Sequence, residues 1–368
     1  MGSQENDFII IEYKDNDKVY VPVYKLNLIQ KHANQITEQR LDSLKTKKFE
    51  QAKSKAKSSV KKLAFDILEL NAKRKTRQGF SFSPPDQIFK DFEANFPFEE
   101  TPDQINAIED VLEDMQKSTP MDRLICGDVG FGKTEVAMRA ALKAVLDKKQ
   151  VSILVPTTVL AFQHFNTFIK RFEEFPVSIE FVSRFKTASQ TKDILKRVEE
   201  GKVDILIGTH KLLSDKIIYK DLGLVIIDEE QRFGVAHKEK LKLLKETVDA
   251  LVMTATPIPR TLQMSFLGIR ELSLIRTAPP KRQTIKTYII KDDGKTIKNA
   301  IEKELNRGGQ VFIVHNRVHD IDEYAASIKK LIPDTNLVIA HGQMPERELE
   351  KKIKDFYDHK YDILISTT

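Results

Sequence analysis

The sequence predicts an α/β fold built on a parallel sheet with helices on both faces. Three observations carry this reading. Short, near-continuous apolar runs recur at 123–126, 151–155, 179–182, 204–207, 224–227 and 251–253, with amphipathic stretches between them. The segment Gly127-Asp128-Val129-Gly130-Phe131-Gly132-Lys133-Thr134 follows the first run and opens a helix expected from Glu135 to about Asp147. Two acids, Asp228 and Glu229, follow the run at 224–227. Ligands of such sheets bind beyond the carboxyl ends of the strands, and both motifs fall there.

Taken in order, the chain begins with Phe8-Ile9-Ile10-Ile11-Glu12-Tyr13 and Lys18-Val19-Tyr20-Val21-Pro22-Val23, separated by Lys14-Asp15-Asn16-Asp17. This alternation predicts a β-hairpin, which alone is marginal in water and has to pack on something else. Between 45 and 62 there are eight lysines against the single acid Glu50. Val60, Leu63, Ala64, Ile67 and Leu68 recur at helical spacing, so one or two basic helices are expected, stopping near Gly79. Their lysines fit a solvated face and fit direct contact with DNA phosphates equally well. Ser83-Pro84-Pro85 marks a loop and a boundary. The first α/β unit occupies 86–277, and Ala278-Pro279-Pro280-Lys281-Arg282 reads as a linker. A second α/β unit, 278–368, is expected to place strands near 286–290, 310–314, 337–340 and 363–366. The chain stops just after the last of these, where an α/β unit ordinarily continues with a loop and a helix.

Composition narrows the function. At 368 residues and 40% hydrophobic, the chain can bury cores for two or three domains. Its net charge of +6 suits a polyanionic partner, and suits a lysine-rich enzyme surface just as well. The single cysteine, Cys126, excludes a disulfide framework and a multi-cysteine zinc site. Its place at the end of an apolar run favours a buried, inert thiol. No apolar stretch reaches the ~18 residues of a membrane span and no secretory signal is visible, which fits a cytoplasmic protein.

The chemistry sits in the two motifs. Gly130 and Gly132 let the backbone curl so that several N–H groups face one anion, and the helix start adds a favourable field. Lys133 supplies a point charge to the β- and γ-phosphates of a nucleoside triphosphate, and Thr134 and Asp228 can share a magnesium ion. Glu229 is the candidate base that orients the attacking water, while Glu230 and Gln231 couple the site to its surroundings. Lys133, Asp228, Glu229 and Gln231 form the candidate catalytic set. Residues 127–134 form the candidate nucleotide cradle, comprising Gly127, Asp128, Val129, Gly130, Phe131, Gly132, Lys133 and Thr134.

Asp228-Glu229-Glu230-Gln231 followed by Arg232-Phe233-Gly234-Val235, together with Thr254-Ala255-Thr256-Pro257-Ile258-Pro259-Arg260-Thr261, resembles superfamily 2 helicases of the DExH type. Within that group the chain is similar to two bacterial branches, the RecG-type fork-remodelling helicases and the transcription-repair coupling factors. Three features favour the second. The stretch Phe96-Pro97-Phe98-Glu99-Glu100-Thr101-Pro102-Asp103-Gln104 resembles the entry to its motor. Phe131 stands where the fork remodellers usually carry a small residue. The hairpin, and the basic stretch leading to Gly79-Phe80-Ser81-Phe82, resemble the end of its RNA-polymerase-interaction domain and the long helix behind it.

The resemblance implies two RecA-like lobes, 86–277 and a truncated 278–368, behind a partial polymerase-interaction domain (1–40) and basic linker helices (41–85). It implies ATP and Mg2+ as cofactors, with Gln104 and Phe98 recognising adenine. Pro156, Thr157, Thr158 and Gln163, then Ser183, Arg184 and Phe185, then Gly208, Thr209 and His210 would line a track for one DNA strand's phosphates. His315, Asn316, Arg317, His341, Gly342 and Gln343 would hold the other end of that track. Thr254 and Thr256 would relay the nucleotide state to the DNA grip. The implied partners are double-stranded DNA, the RNA polymerase β subunit through the hairpin, and excision-repair proteins through other parts of a longer parent. A monomer is expected. The family's later motor motifs, including arginines reaching the γ-phosphate, would lie beyond Thr368. Arginines of this kind are worth ~10³–10⁵ in rate, so weak hydrolysis by this chain alone is expected. Two other readings stay open. One is a RecG-type fork remodeller. The other is a non-catalytic module that binds nucleotide and polymerase.

Overall fold

The computed structural model describes residues 8–13, 17–23, 54, 58, 72, 76–183, 186–255, 270–280, 282, 285–291 and 293–367. The chain divides into two compact units, Met1–Glu69 and Leu70–Thr368. In the first unit, β1 (Phe8–Glu12) and β2 (Lys18–Pro22) form the expected antiparallel hairpin, with Ile10 opposite Tyr20 and Glu12 opposite Lys18. Both of its faces carry apolar side chains, and Phe8, Ile10 and Tyr20 stand more than half exposed. The basic stretch expected to be helical between 43 and 79 lies almost entirely outside the described residues, as does the turn at 14–16.

The second unit starts with α1 (Gln87–Ala94) and α2 (Pro102–Met115), followed by β3 (Asp122–Gly127) and α3 (Lys133–Leu146). Next come β4 (Gln150–Leu154), α4 (Thr158–Arg171), β5 (Ile179–Val182), α5 (Ala188–Glu199) and β6 (Ile205–Gly208). Then follow β7 (Leu222–Asp228), α6 (Val235–Leu244), β8 (Asp249–Thr254) and β9 (Glu271–Ile275). The seven strands pair in parallel in the order β5-β6-β4-β7-β8-β3-β9. Alternate residues of each central strand feed two separate cores. Ile125, Ile153, Ile226 and Leu251 join one, with α1 to α4, while Leu124, Leu154, Val225 and Val252 join the other, with α5 and α6. Strands apolar on both faces read as unbroken runs, which is why six of the seven were visible in the sequence. The seventh, β9, was not expected: its Glu-Leu-Ser-Leu-Ile pattern is that of an edge strand with one polar side.

A smaller unit follows, with α7 (Gly294–Leu305), β10 (Val311–Val314), α8 (Ile321–Leu331), β11 (Leu337–Ala340), α9 (Glu346–Tyr357) and β12 (Ile363–Ser366). Its three strands are parallel in the order β10-β12-β11. The strand expected near 286–290 is absent: this segment is irregular, with Ile285 89% and Ile289 100% exposed. Its β-branched and aromatic residues have the propensity, but no described backbone lies alongside to complete a ladder. Among the described residues no helix is long and apolar enough to cross a membrane.

Candidate active site

The loop between β3 and α3 is built by close packing as well as by glycine. Gly130 and Gly132 sit at φ +80° and +81°, in the left-handed region. At Gly132 a Cβ would lie 2.3 Å from Gln104 Nε2, and at Gly127 it would lie 3.0 Å from the carbonyl oxygen of Ile275 on β9. Lys133 folds back across the loop, its Nζ donating to the carbonyls of Gly127 (2.6 Å) and Asp128 (2.9 Å). Burial lowers the pKa of this ammonium, against the opposing pull of Asp228 and Glu229. The sequence motif and the acid pair thus share one electrostatic neighbourhood.

Sheet order explains how residues a hundred positions apart meet. Asp228 pairs in register with Met253, and Thr254 with Cys126, so β7, β8 and β3 end side by side. Neighbouring strands lie about 5 Å apart, which puts Asp228 roughly 10 Å across the rim from the loop. Glu229 adopts φ 52°, ψ 54°, an uncommon conformation for a non-glycine residue and one that clusters at functional sites. Its carboxylate accepts from Ala255 N (2.7 Å), from Thr254 Oγ1 (3.3 Å) and from Gln231 Nε2. Gln231 Nε2 also lies 3.4 Å from Thr254 Oγ1. Glu230 points elsewhere, into an ion network with Lys245 Nζ (2.7 Å) and Arg270 Nη1 (3.2 Å), and Arg270 also pairs with Asp122 (2.7 Å). Burial pushes the Glu230 carboxyl up, but the two cations outweigh it and hold the pKa at about 2.

Thr134 and Asp228 offer a hydroxyl and a carboxylate, the hard oxygen donors that magnesium takes. Among the described residues no group of three or more His, Cys, Asp or Glu side chains could hold a metal unaided. A pair of protein oxygens completed by phosphates is the usual magnesium arrangement at nucleotide sites, and this donor set fits it. Cys126 is buried, and burial raises its pKa, which suits an inert thiol.

Beside the loop lies a cavity of about 860 Å³, lined among others by Phe98, Gln104, Gly132, Thr134 and Arg282. Phe98 is 61% exposed and packs edge-to-face with Phe96, ring centres 5.5 Å apart. Both ends of the Gln104 amide are engaged: Oε1 accepts from Thr101 N (2.8 Å) and Nε2 donates to Phe131 O (2.9 Å). Gln104 therefore belongs at once to the cap of α2 and to the loop. Phe131 is buried, and the Arg282 guanidinium lies 4.7 Å from its ring centre and 3.4 Å from Asp128. Val129 protrudes, 68% exposed. Arg282 had drawn no functional expectation.

The other candidates occupy the remaining rim. Pro156, Thr157 and Thr158 follow β4, Ser183 follows β5, and Gly208, Thr209 and His210 end or follow β6. Thr157 caps α4 by accepting from Leu160 N (3.2 Å), Gln163 is half-buried on that helix, and Thr209 is buried. His210 is exposed, its ring 4.7 Å from that of His237. Sheet order therefore splits the rim in two, with the track candidates over β5-β6-β4 and the nucleotide candidates over β7-β8-β3. In the smaller unit, His315, Asn316 and Arg317 follow β10, and His341, Gly342 and Gln343 follow β11, so both groups lie at the carboxyl end of that parallel sheet, on either side of β12. His315 is held by Asp320 (2.7 Å) and stacked on Tyr324, whereas Asn316, Arg317, Gly342 and Gln343 are exposed. Arg184, Phe185 and Thr256 lie outside the described residues.

One contact escaped the sequence reading. His164, buried on α4, places Nε2 3.3 Å from Asp228 Oδ2. Its signal was a polar residue on the inward helical face defined by Ala161 and Phe168.

A phosphate loop and an acid pair on one parallel rim, with a second small parallel sheet behind, define a helicase motor core. Residues 101–265 match the DEAD/DEAH box helicase model, 294–368 the helicase conserved C-terminal domain, and 1–33 the CarD-like/TRCF RID domain. The structure of RecG bound to a three-way DNA junction superposes with a TM-score of 0.67 at 32% identity, covering 82% of this chain and 41% of that one. The transcription-repair-coupling factor of Myxococcus xanthus is 53% identical over 98% of this chain, and that of Bacillus subtilis (strain 168) is 48% identical over 98%. The chain is thus similar over nearly its whole length to transcription-repair-coupling factors. It spans 30% and 31% of the length of those two relatives.

Proposed function

We propose that this chain supplies the ATP-driven, duplex-DNA translocating motor of a transcription-repair-coupling factor. The observation that carries the reading is that Lys133, after β3, and Asp228 and Glu229, at the end of β7, lie at one sheet rim with only β8 between them, with Glu229 already oriented by Ala255, Thr254 and Gln231. Lys133 would exchange its loop carbonyls for the β- and γ-phosphates. Thr134 and Asp228 would hold magnesium, which when bound neutralises charge between those phosphates. Glu229 would orient the attacking water, and Thr254 with Gln231 would feel whether that water and phosphate are present. Phe98 would cover the base, and the cap formed by Gln104 would fix the loop that receives the phosphates.

The two rim halves share one sheet, so a change at the nucleotide can reach the track. The residues after β4, β5 and β6 would grip one strand's phosphates, and those after β10 and β11 the next stretch. Opening and closing of the two lobes would then step along the duplex. The match of residues 1–33 to the CarD-like/TRCF RID domain supports RNA polymerase as the partner of the hairpin. It also favours this reading over a fork remodeller, although the RecG structure shares the motor fold. Displacement of stalled polymerase and coupling to excision repair follow for the longer protein. Titration of a fluorescent ATP analogue tests the nucleotide assignment: Lys133→Ala should weaken magnesium-dependent binding at least tenfold, and parental affinity in that variant would refute it.

A further inference from the structure

The nucleotide reading leaves one buried polar side chain beside the acid pair without a task. We propose that His164 is a positioning residue: it turns the Asp228 carboxylate so that one oxygen is free for the cation, and it tethers that carboxylate to α4. The inference rests on the assignment of Asp228 to magnesium.

The geometry is direct. His164 is 9% exposed, sits between Ala161 and Phe168 on the inward face of α4, and brings Nε2 to 3.3 Å from Asp228 Oδ2. A carboxylate only accepts, so the histidine nitrogen donates. Binding Oδ2 in this way leaves Oδ1 available to the cation. A polar side chain on a helix face packed against a sheet is costly without a partner, and an apolar residue would fill the position as well as its neighbours Ala161 and Phe168 do. A satisfied core histidine would need only some acceptor. Here the acceptor is the carboxylate assigned to the cation, at the end of β7 and one strand removed from the β3 loop. Groups that orient a metal-binding carboxylate typically contribute 10–100-fold to metal affinity.

The same helix makes the contact mechanically useful. Thr157, at the start of α4, belongs to the candidate track, and Phe162 on α4 meets Lys354 of α9 in the smaller unit (5.4 Å to the ring centre). Asp228 is thus joined through His164 to an element that touches both the track and the second lobe.

The test uses the whole 368-residue chain. Binding of a fluorescent ATP analogue is followed across magnesium concentrations, and separately in EDTA. His164→Phe keeps a ring of similar shape without the donor, and His164→Gln restores an N–H. By the usual weight of such orienting groups, His164→Phe should need about tenfold more magnesium for half-maximal binding, with unchanged affinity in EDTA, and His164→Gln should stay within about threefold of the parent. An unchanged magnesium requirement in His164→Phe would overturn the proposal. So would an equal loss with and without magnesium that His164→Gln does not rescue, which would leave only a packing role. If the parent chain itself binds no analogue at any magnesium concentration, the nucleotide assignment falls, and the role of His164 falls with it.

Discussion

At the scale of single residues, the site is defined by positions that tolerate nothing else. Gly132 combines φ +81° with a Cβ position 2.3 Å from Gln104 Nε2. Gly132→Ala should therefore cost ~1–3 kcal/mol in strain and pull Gln104 from its two hydrogen bonds. Equilibrium unfolding should show the loss of stability, and analogue titration a loss of binding. Glu230 makes a different prediction. Its folded pKa, about 2, lies below the ordinary 4.5, so its contribution is complete above pH 4.5 and fades as pH falls toward 2. Between pH 7 and pH 3 this amounts to about 2 kcal/mol. Urea unfolding at the two values should show the parent losing about that much more than Glu230→Gln, and parallel losses would argue against the network. What the sequence could not show are contacts made between distant parts of the chain. Gln104 reads as a base-recognition residue, yet its amide is occupied by a helix cap and the carbonyl of Phe131. Nothing along the chain announces that His164 faces Asp228, because only the β4–β7 pairing brings α4 over that strand end.

At the scale of elements, α3 shows why periodicity alone undersells a central helix. It is buried nearly all round, and its polar residues Glu135, Arg139 and Lys143 are paired rather than solvated. Arg139 meets Glu93, Glu100 and Glu135, while Lys143 meets Ser83 and Asp147. The second set pins the segment ahead of α1, because Ser83 N and Oγ both donate to Asp147. Lys143→Ala would leave the Asp147 carboxylate with only its two Ser83 hydrogen bonds and should cost ~3 kcal/mol, with faster amide exchange at Phe82 and Ser83; normal protection there would contradict the pin. Strands buried on both faces were legible as apolar runs, whereas β9 was not, since an edge strand needs only one apolar side. The segment at 286–290 failed in the opposite sense. Its propensity for strand is real, but a strand is defined by its partner, and local sequence carries no record of one.

At the scale of the whole molecule, the proposed nucleotide and DNA sites share one parallel sheet, and its strand order separates them. The nucleotide residues end β3, β7 and β8, and the track candidates end β4, β5 and β6. On the proposed reading, backbone amides, hydroxyls and a few cations at the track would grip phosphates without reading bases, so duplex binding should depend steeply on salt and little on sequence. Neutralising about four phosphates would cost roughly a hundredfold in affinity between about 50 and 200 mM salt, and a flat response in fluorescence anisotropy would exclude the track. The most direct measurement of the central claim is a crystal structure of this chain with magnesium and a non-hydrolysable ATP analogue. The phosphates should lie within the curve of residues 130–134, with Lys133 released from the carbonyls of Gly127 and Asp128 and the cation between Thr134 and Asp228. An analogue bound elsewhere, or a cation that leaves Asp228 untouched, would contradict that claim.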